Sequence, residues 1–159
     1  MHLNMIWCAV AICCIFAGCD SESSSDPVVN VEATDEAMNG AVEKAQQTFP
    51  QFLKHWKTMP SDSVGVKVGL STSDDEVEHI WFEPITITDT EVSGICANDP
   101  NKIPNLKLGD KRTFGRSEVS DWMILVGDKC YGGYTIRVLS QMEPENAPPF
   151  AFLDLEDAP

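Results

Sequence analysis

Several side chains in this 159-residue sequence have types and neighbours that could do chemistry. His79 sits beside Glu78 and follows Asp74, Asp75 and Glu76. A histidine near carboxylates can bind a metal or act as a general base. Side chains alternate along a strand, however, so Glu78 is expected on the face opposite His79. The Asp-Asp-Glu run falls at a hairpin tip, where it is simply solvated. Asp121, Trp122 and the later Arg137 form a second candidate. Asp121 and Arg137 could be a buried salt bridge that locks the last elements together, or a carboxylate and guanidinium that receive a polar ligand. The structural role is the first reading. Trp81 and Tyr134 offer either stacking surfaces or core, and Asn98, before Asp99-Pro100, suits an Asx-type turn.

Nothing beyond these resembles a catalytic constellation. There is no Gly-x-Ser-x-Gly elbow, no Gly-x-Gly-x-x-Gly after a strand and no His-Glu-x-x-His. His2 lies in the leader, which leaves His55 and His79 for the rest of the chain. We therefore assign no catalytic residue, metal site or cofactor from the sequence.

Cys19 carries a more specific signal. Met5 to Gly18 is an unbroken run of 14 apolar and small residues. That is short of the roughly 20 needed to span a hydrocarbon core and within the range of a signal-peptide h-region. It ends Phe16-Ala17-Gly18-Cys19, which resembles the lipobox of bacterial lipoproteins. Resemblance to that family implies cleavage before Cys19, a diacylglyceryl group on its thiol and acylation of the new amine. Phe16 stands where a Leu is usual, and Met1-His2-Leu3-Asn4 has no Lys or Arg. Several acyl chains hold firmly where one holds marginally. The expected partner is thus the membrane, reached through acyl chains on Cys19, with the protein in the cell envelope facing the periplasm or the exterior.

Cys8, Cys13 and Cys14 would leave with the leader, so Cys96 and Cys130 are the thiols that remain besides Cys19. In an oxidising compartment they can pair, for roughly 3–4 kcal/mol of stabilisation. Alternatively, Cys96, within Gly94-Ile95-Cys96-Ala97, is a lone buried thiol.

The formal charge of −14 is unevenly placed. Asp20–Glu36 holds six acids and no base, and Glu143–Pro159 holds five more without a base. The stretch between them keeps the other fourteen of the 25 acids against all 11 bases. A near-neutral domain between acidic ends excludes nucleic acid as a partner, because that needs collected Lys and Arg. It also argues against a polybasic membrane-surface mode. The acidic ends either solvate a tether or meet a protein partner with a basic surface.

These candidates need elements to position them. Residues 1–18 read as the signal peptide, 19–33 as a disordered acidic tether, 34–142 as one domain and 143–159 as an acidic, proline-containing tail. Thr34 can cap a helix in which Ala37, Ala41, Ala45, Phe49, Phe52 and Trp56 recur at helical spacing. Pro50 should kink or restart it. Val64–Leu70 and Val77–Phe82 read as a hairpin, and Ile85–Thr88 with Val92–Ala97 as another. Lys111–Phe114 and Trp122–Val126 are further strands. Tyr134–Met142 reads as a C-terminal helix, with a terminal strand as the competing reading. The expectation is an α+β fold with an N-terminal helix and a mostly antiparallel sheet.

Val66-Lys67-Val68, Glu78-His79-Ile80-Trp81, Gly94 to Asn98 with Pro100, Leu108-Gly109-Asp110, Ser120-Asp121-Trp122-Met123 and Gly132-Gly133-Tyr134-Thr135-Ile136-Arg137 occur in that order. The series resembles the bacterial domain of unknown function 2314, or YegJ-like, family over about Ala37 to Met142. The resemblance implies a compact α+β fold and carries no activity with it. The functional expectation is a lipid-anchored, non-catalytic binding module, in one form an immunity-type protein that neutralises an envelope toxin. The alternative is a small hydrolase using His79 with Asp121 or another carboxylate, which requires those side chains to converge.

Overall fold

The computed structural model describes residues 36–157, residue 75 excepted. The lipobox cysteine, leader and tether therefore lie outside the described residues. The chain runs α1 (Glu36–His55), β1 (Ser63–Ser71), β2 (Val77–Ile87), β3 (Glu91–Cys96), β4 (Lys111–Gly115), a 3-10 turn (Arg116–Glu118), β5 (Val119–Val126), β6 (Lys129–Gly132), α2 (Tyr134–Met142) and β7 (Ala151–Leu153). The seven strands form one sheet in the order β4-β3-β2-β1-β5-β6-β7. Every pairing is antiparallel except β6 with β7. The fold is α+β, as expected.

One face of the sheet carries the core. Val66, Val68 and Leu70 of β1 alternate with Gly65, Lys67 and Gly69, and the apolar set packs with Ile80, Phe82, Val92, Trp122 and Ile124 under α1. Ala41, Ala45, Phe49 and Phe52 are the buried stripe of α1. Phe52 lies against Trp122 with ring centroids 5.2 Å apart. The indole N–H of Trp122 donates to the carbonyl of Ala45 at 3.0 Å, so this large ring is buried without an orphaned donor. Gly65, Lys67 and Gly69 belong to the opposite face.

Three expectations change. α1 runs unbroken through Pro50, whose exposed ring replaces one backbone hydrogen bond without ending the helix. Ile85–Thr88 is no separate strand, because β2 continues to Ile87 by absorbing an extra residue between Pro84 and Thr86. A bulge is where a strand can hold a proline. Where the sequence reads as an acidic tail, Ala151–Leu153 pairs with β6 and Leu155 is buried. The apolar Phe150, Phe152, Leu153 and Leu155 outweigh the intervening acids.

Candidate functional site

Two of the residues singled out above, His79 and Asp121, lie around a bulge in β5. Lys67 pairs with Asp121 and Val68 with Val119, so Ser120 is an extra residue in β5. Two residues then oppose one, and Ser120 and Asp121 stand together opposite Lys67. Trp122 resumes the core face. This irregularity brings the side chains of Lys67, His79, Ser120, Asp121 and Thr135 into one cluster.

Asp121 is fully buried. One carboxylate oxygen accepts the N–H of Trp122 at 2.8 Å and that of Tyr134 at 3.2 Å. The other accepts the N–H of Thr135 at 2.8 Å and its hydroxyl at 2.6 Å. Tyr134 and Thr135 are the first two residues of α2, and the residue before them, Gly133, has no side chain with which to cap. Asp121 therefore caps α2 from a neighbouring strand, placing negative charge at the positive end of the helix. Gly132 and Gly133 make this approach possible, with φ of 78° and 64°. A Cβ on Gly132 would stand 2.4 Å from the carbonyl oxygen of Trp122.

Lys67, 9% exposed, donates from Nζ to the Thr135 hydroxyl at 3.1 Å. Lys67, Thr135 and Asp121 thus form a chain of hydrogen bonds in which the threonine accepts from one charge and donates to the other. Burial lowers the Lys67 pKa, and Asp121 opposes that change. Burial also raises the Asp121 pKa, against the pull of the hydrogen bonds from Thr135 and Trp122 and of Lys67. The lysine stem runs between two glycines. The Trp81 ring leans over Gly65 on one side, and His79 leans over Gly69 on the other. The glycines leave room for both rings to lie on the sheet.

His79 reaches across β1 to Ser120, with Nδ1 and Oγ 3.2 Å apart. Ser120 in turn donates to the carbonyl of Lys67 at 3.3 Å. Burial of its inner edge, and then the Lys67 ammonium, push the His79 pKa down to about 4. The imidazole is neutral at pH 7 and its outer edge stays in water. No hydrogen bond joins His79 to Asp121. Glu78 faces the other way, as alternation requires, and accepts the N–H groups of Asn101 at 2.6 Å and Lys102 at 2.8 Å. Among the described residues no three His, Cys, Asp or Glu side chains are placed to share a metal ion, and no helix is long and apolar enough to cross a membrane.

The bacterial family described as an uncharacterized protein conserved in bacteria, domain of unknown function 2314, matches residues 35–151. The chain belongs to this family. It is similar to the uncharacterized protein YegJ of Escherichia coli, 31% identical over 76% of this chain and 78% of that protein. It is also 31% identical to a putative ankyrin repeat protein of Neisseria meningitidis serogroup B, over 72% of this chain but about half of that protein, 49%. No solved structure gives a significant match.

Within this domain of unknown function 2314 the other candidates have structural duties. Arg137 does not meet Asp121. Its guanidinium binds the carbonyls of Gly132 and Leu153, pairs with Asp154 at 3.0 Å and lies over the Tyr134 ring. The expected bridge between Asp121 and Arg137 is absent, and each charge instead holds its own set of partners. Tyr134 packs edge-on against Trp122. Asn98 makes a ladder contact instead of the expected turn, accepting the Trp81 N–H at 2.7 Å. Cys96 and Cys130 are free and buried, so the disulfide reading gives way to two lone thiols. Three strands separate theirs, β3 and β6, which sets them about 19 Å apart at sheet spacing, too far for an S–S bond. Burial raises both thiol pKa values, that of Cys130 to about 12, which keeps them protonated and unreactive.

Lys67, Ser120 and Thr135 are central to the cluster and were not among the sequence candidates. Lys67 alternates between Val66 and Val68, a pattern that ordinarily puts the lysine in water. Its signal was the Gly-x-Lys-x-Gly spacing, which clears space beside one buried amine on a strand face.

Proposed function

We propose that this protein is a non-catalytic binding module held at the bacterial envelope by acyl chains on Cys19. The observation that carries the non-catalytic half is the commitment of Asp121. Its carboxylate accepts four hydrogen bonds, which is about the capacity of the group, and all four hold the fold together. A hydrolase using His79 needs a carboxylate to orient the ring, and His79 meets Ser120 instead. That single Ser–His contact is what favours the alternative of a small hydrolase, but Ser120 is buried.

The anchor half rests on the lipobox-like ending at Cys19 and on the polar run Asp20-Ser21-Glu22-Ser23-Ser24-Ser25 after it. An immunity-type role, with a basic toxin as partner, is a specific form of this reading, and a neighbouring toxin gene would favour it. Metabolic labelling of the full-length chain with a fatty-acid analogue tests the anchor. Label is expected on the parent and not on Cys19→Ala; an unlabelled, soluble parent would sink the proposal. Hydrolysis of a chromogenic ester that is lost in His79→Gln, with the fold intact, would favour the enzyme instead.

A further inference from the structure

On the α1 side of the sheet, away from Lys67, a groove of about 530 Å³ opens between the middle of the helix and the tip of the β2–β3 turn. Gln46, Phe49 and Pro50 of α1 form one wall, and Asp89, Thr90 and Arg116 the other. The volume lies within the range of small-molecule sites.

Three features of this groove bear on a ligand. The Arg116 guanidinium lies over the Phe49 ring, its central carbon 5.0 Å from the ring centroid, and makes no ion pair with any described residue. Asp89 likewise has no ionic partner among the described residues. Pro50 has no N–H to give to the carbonyl of Gln46, so the helical turn that forms the wall contains an acceptor without its usual donor. Proline inside a helix costs about 3 kcal/mol. Departures from local preference of this kind tend to coincide with function.

A site with a guanidinium, a carboxylate and a freed carbonyl around an aromatic ring suits a ligand carrying both charges. We propose that the groove binds a short peptide with both ends free, of dipeptide size. The Arg116 guanidinium, held in place by Phe49, takes the terminal carboxylate in a charge-assisted pair. Asp89 and the Gln46 carbonyl take the terminal ammonium, and the apolar wall takes a side chain. The inference goes beyond the reading above, because it needs neither the anchor nor the Lys67 cluster.

Calorimetric titration of the full-length protein in detergent, using L-alanyl-L-leucine, L-alanyl-L-alanine and L-glutamyl-L-leucine, tests it. Each is compared with its N-acetyl and C-amide forms. At least one free dipeptide is expected to bind, with either cap weakening it by about 10-fold, the usual value of one charge-assisted contact. Arg116→Gln should remove the preference for the free carboxylate, Asp89→Asn the preference for the free amine, and Arg116→Lys should restore part of the first. Melting curves of each variant confirm that the fold survives. The proposal is overturned by no binding of any free dipeptide at about 10 mM, by equal binding of capped and free forms, or by affinities unchanged in both variants. Fatty-acid labelling of Cys19 is unaffected by any of these outcomes, so failure here and failure of the anchor are separable.

Discussion

At the start of α2 a carboxylate, a hydroxyl and an ammonium lie in sequence inside the protein, and each has a partner. In the groove beside α1 a guanidinium and a carboxylate face the same space, and neither has an ionic partner among the described residues. Both regions contain one cation and one acid, so composition does not separate them. Burial does. A charge removed from water must be satisfied by the fold, and once satisfied it has little left for a ligand. A charge at a groove stays hydrated and can exchange that water for a partner. The difference implies opposite responses to substitution: large stability effects at α2, and small ones at the groove.

Asp121→Ala is the sharpest way to break this contrast. It orphans the first two N–H groups of α2 and leaves Lys67 as a buried cation without its counter-charge. Loss of one member of a buried charged network costs about 3–5 kcal/mol, which urea denaturation would read as a shifted midpoint. Adding Lys67→Met should recover part of that loss, because the second substitution removes the stranded charge. Additive effects in this double-mutant cycle would mean that the two groups do not interact.

Gly132→Ala attacks the same cap from the other side. The residue sits at φ 78° and its new Cβ would overlap the Trp122 carbonyl oxygen, so the α2 N-terminus must move away from Asp121. The expected cost is about 2–3 kcal/mol, visible as a lower melting temperature and faster exchange of the Tyr134 and Thr135 amides.

Much of this architecture was readable in the chain, and the failures share one cause. The helical spacing from Ala37 to Trp56 and the alternation of Val64, Val66 and Val68 are local patterns, and both elements are present. Neither bulge could be read. Ile85 and Ser120 are extra residues only relative to the register of a partner strand, and for Ser120 that partner, β1, is also distant in sequence. The site suffers for the same reason. Asp121 was a candidate because of its type, but its role depends on Ser120 being inserted and on Gly132-Gly133 turning α2 toward it. Cys96 and Cys130 failed to pair because strand order separates them, and composition does not encode strand order.

His79 lies between the two extremes, with one edge packed and one in water. Its pKa in the folded protein is lowered to about 4, from the ordinary value near 6.5, by burial and by Lys67. The unfolded chain therefore takes up the proton first. The contribution is fully present above pH 6.5 and is lost as pH falls toward 4. Because the ring is partly exposed, solvent screening reduces the loss to about 1 kcal/mol, well under the value for a fully enclosed group. His79→Gln should flatten the stability profile over that window. A parent profile of the same slope as the variant's would mean that burial and Lys67 do not hold the ring neutral.

Arg116→Gln carries the smallest expected effect on stability and is the most informative about the groove. The guanidinium gives up only its contact with Phe49, since it has no ionic partner to strand. A cation–π contact between buried Phe49 and half-buried Arg116 contributes about 0.5–1 kcal/mol, so chemical denaturation should barely distinguish variant from parent. A loss of 2 kcal/mol or more, on the scale of about 1.4 kcal/mol per tenfold in the folding constant, would show that Arg116 belongs with Asp121 as part of the framework. A near-silent variant that has nevertheless lost its preference for a free carboxylate would separate the two regions by their physical role. The same charge type is fixed inside the fold at α2 because water cannot reach it, and remains available at the groove because water can.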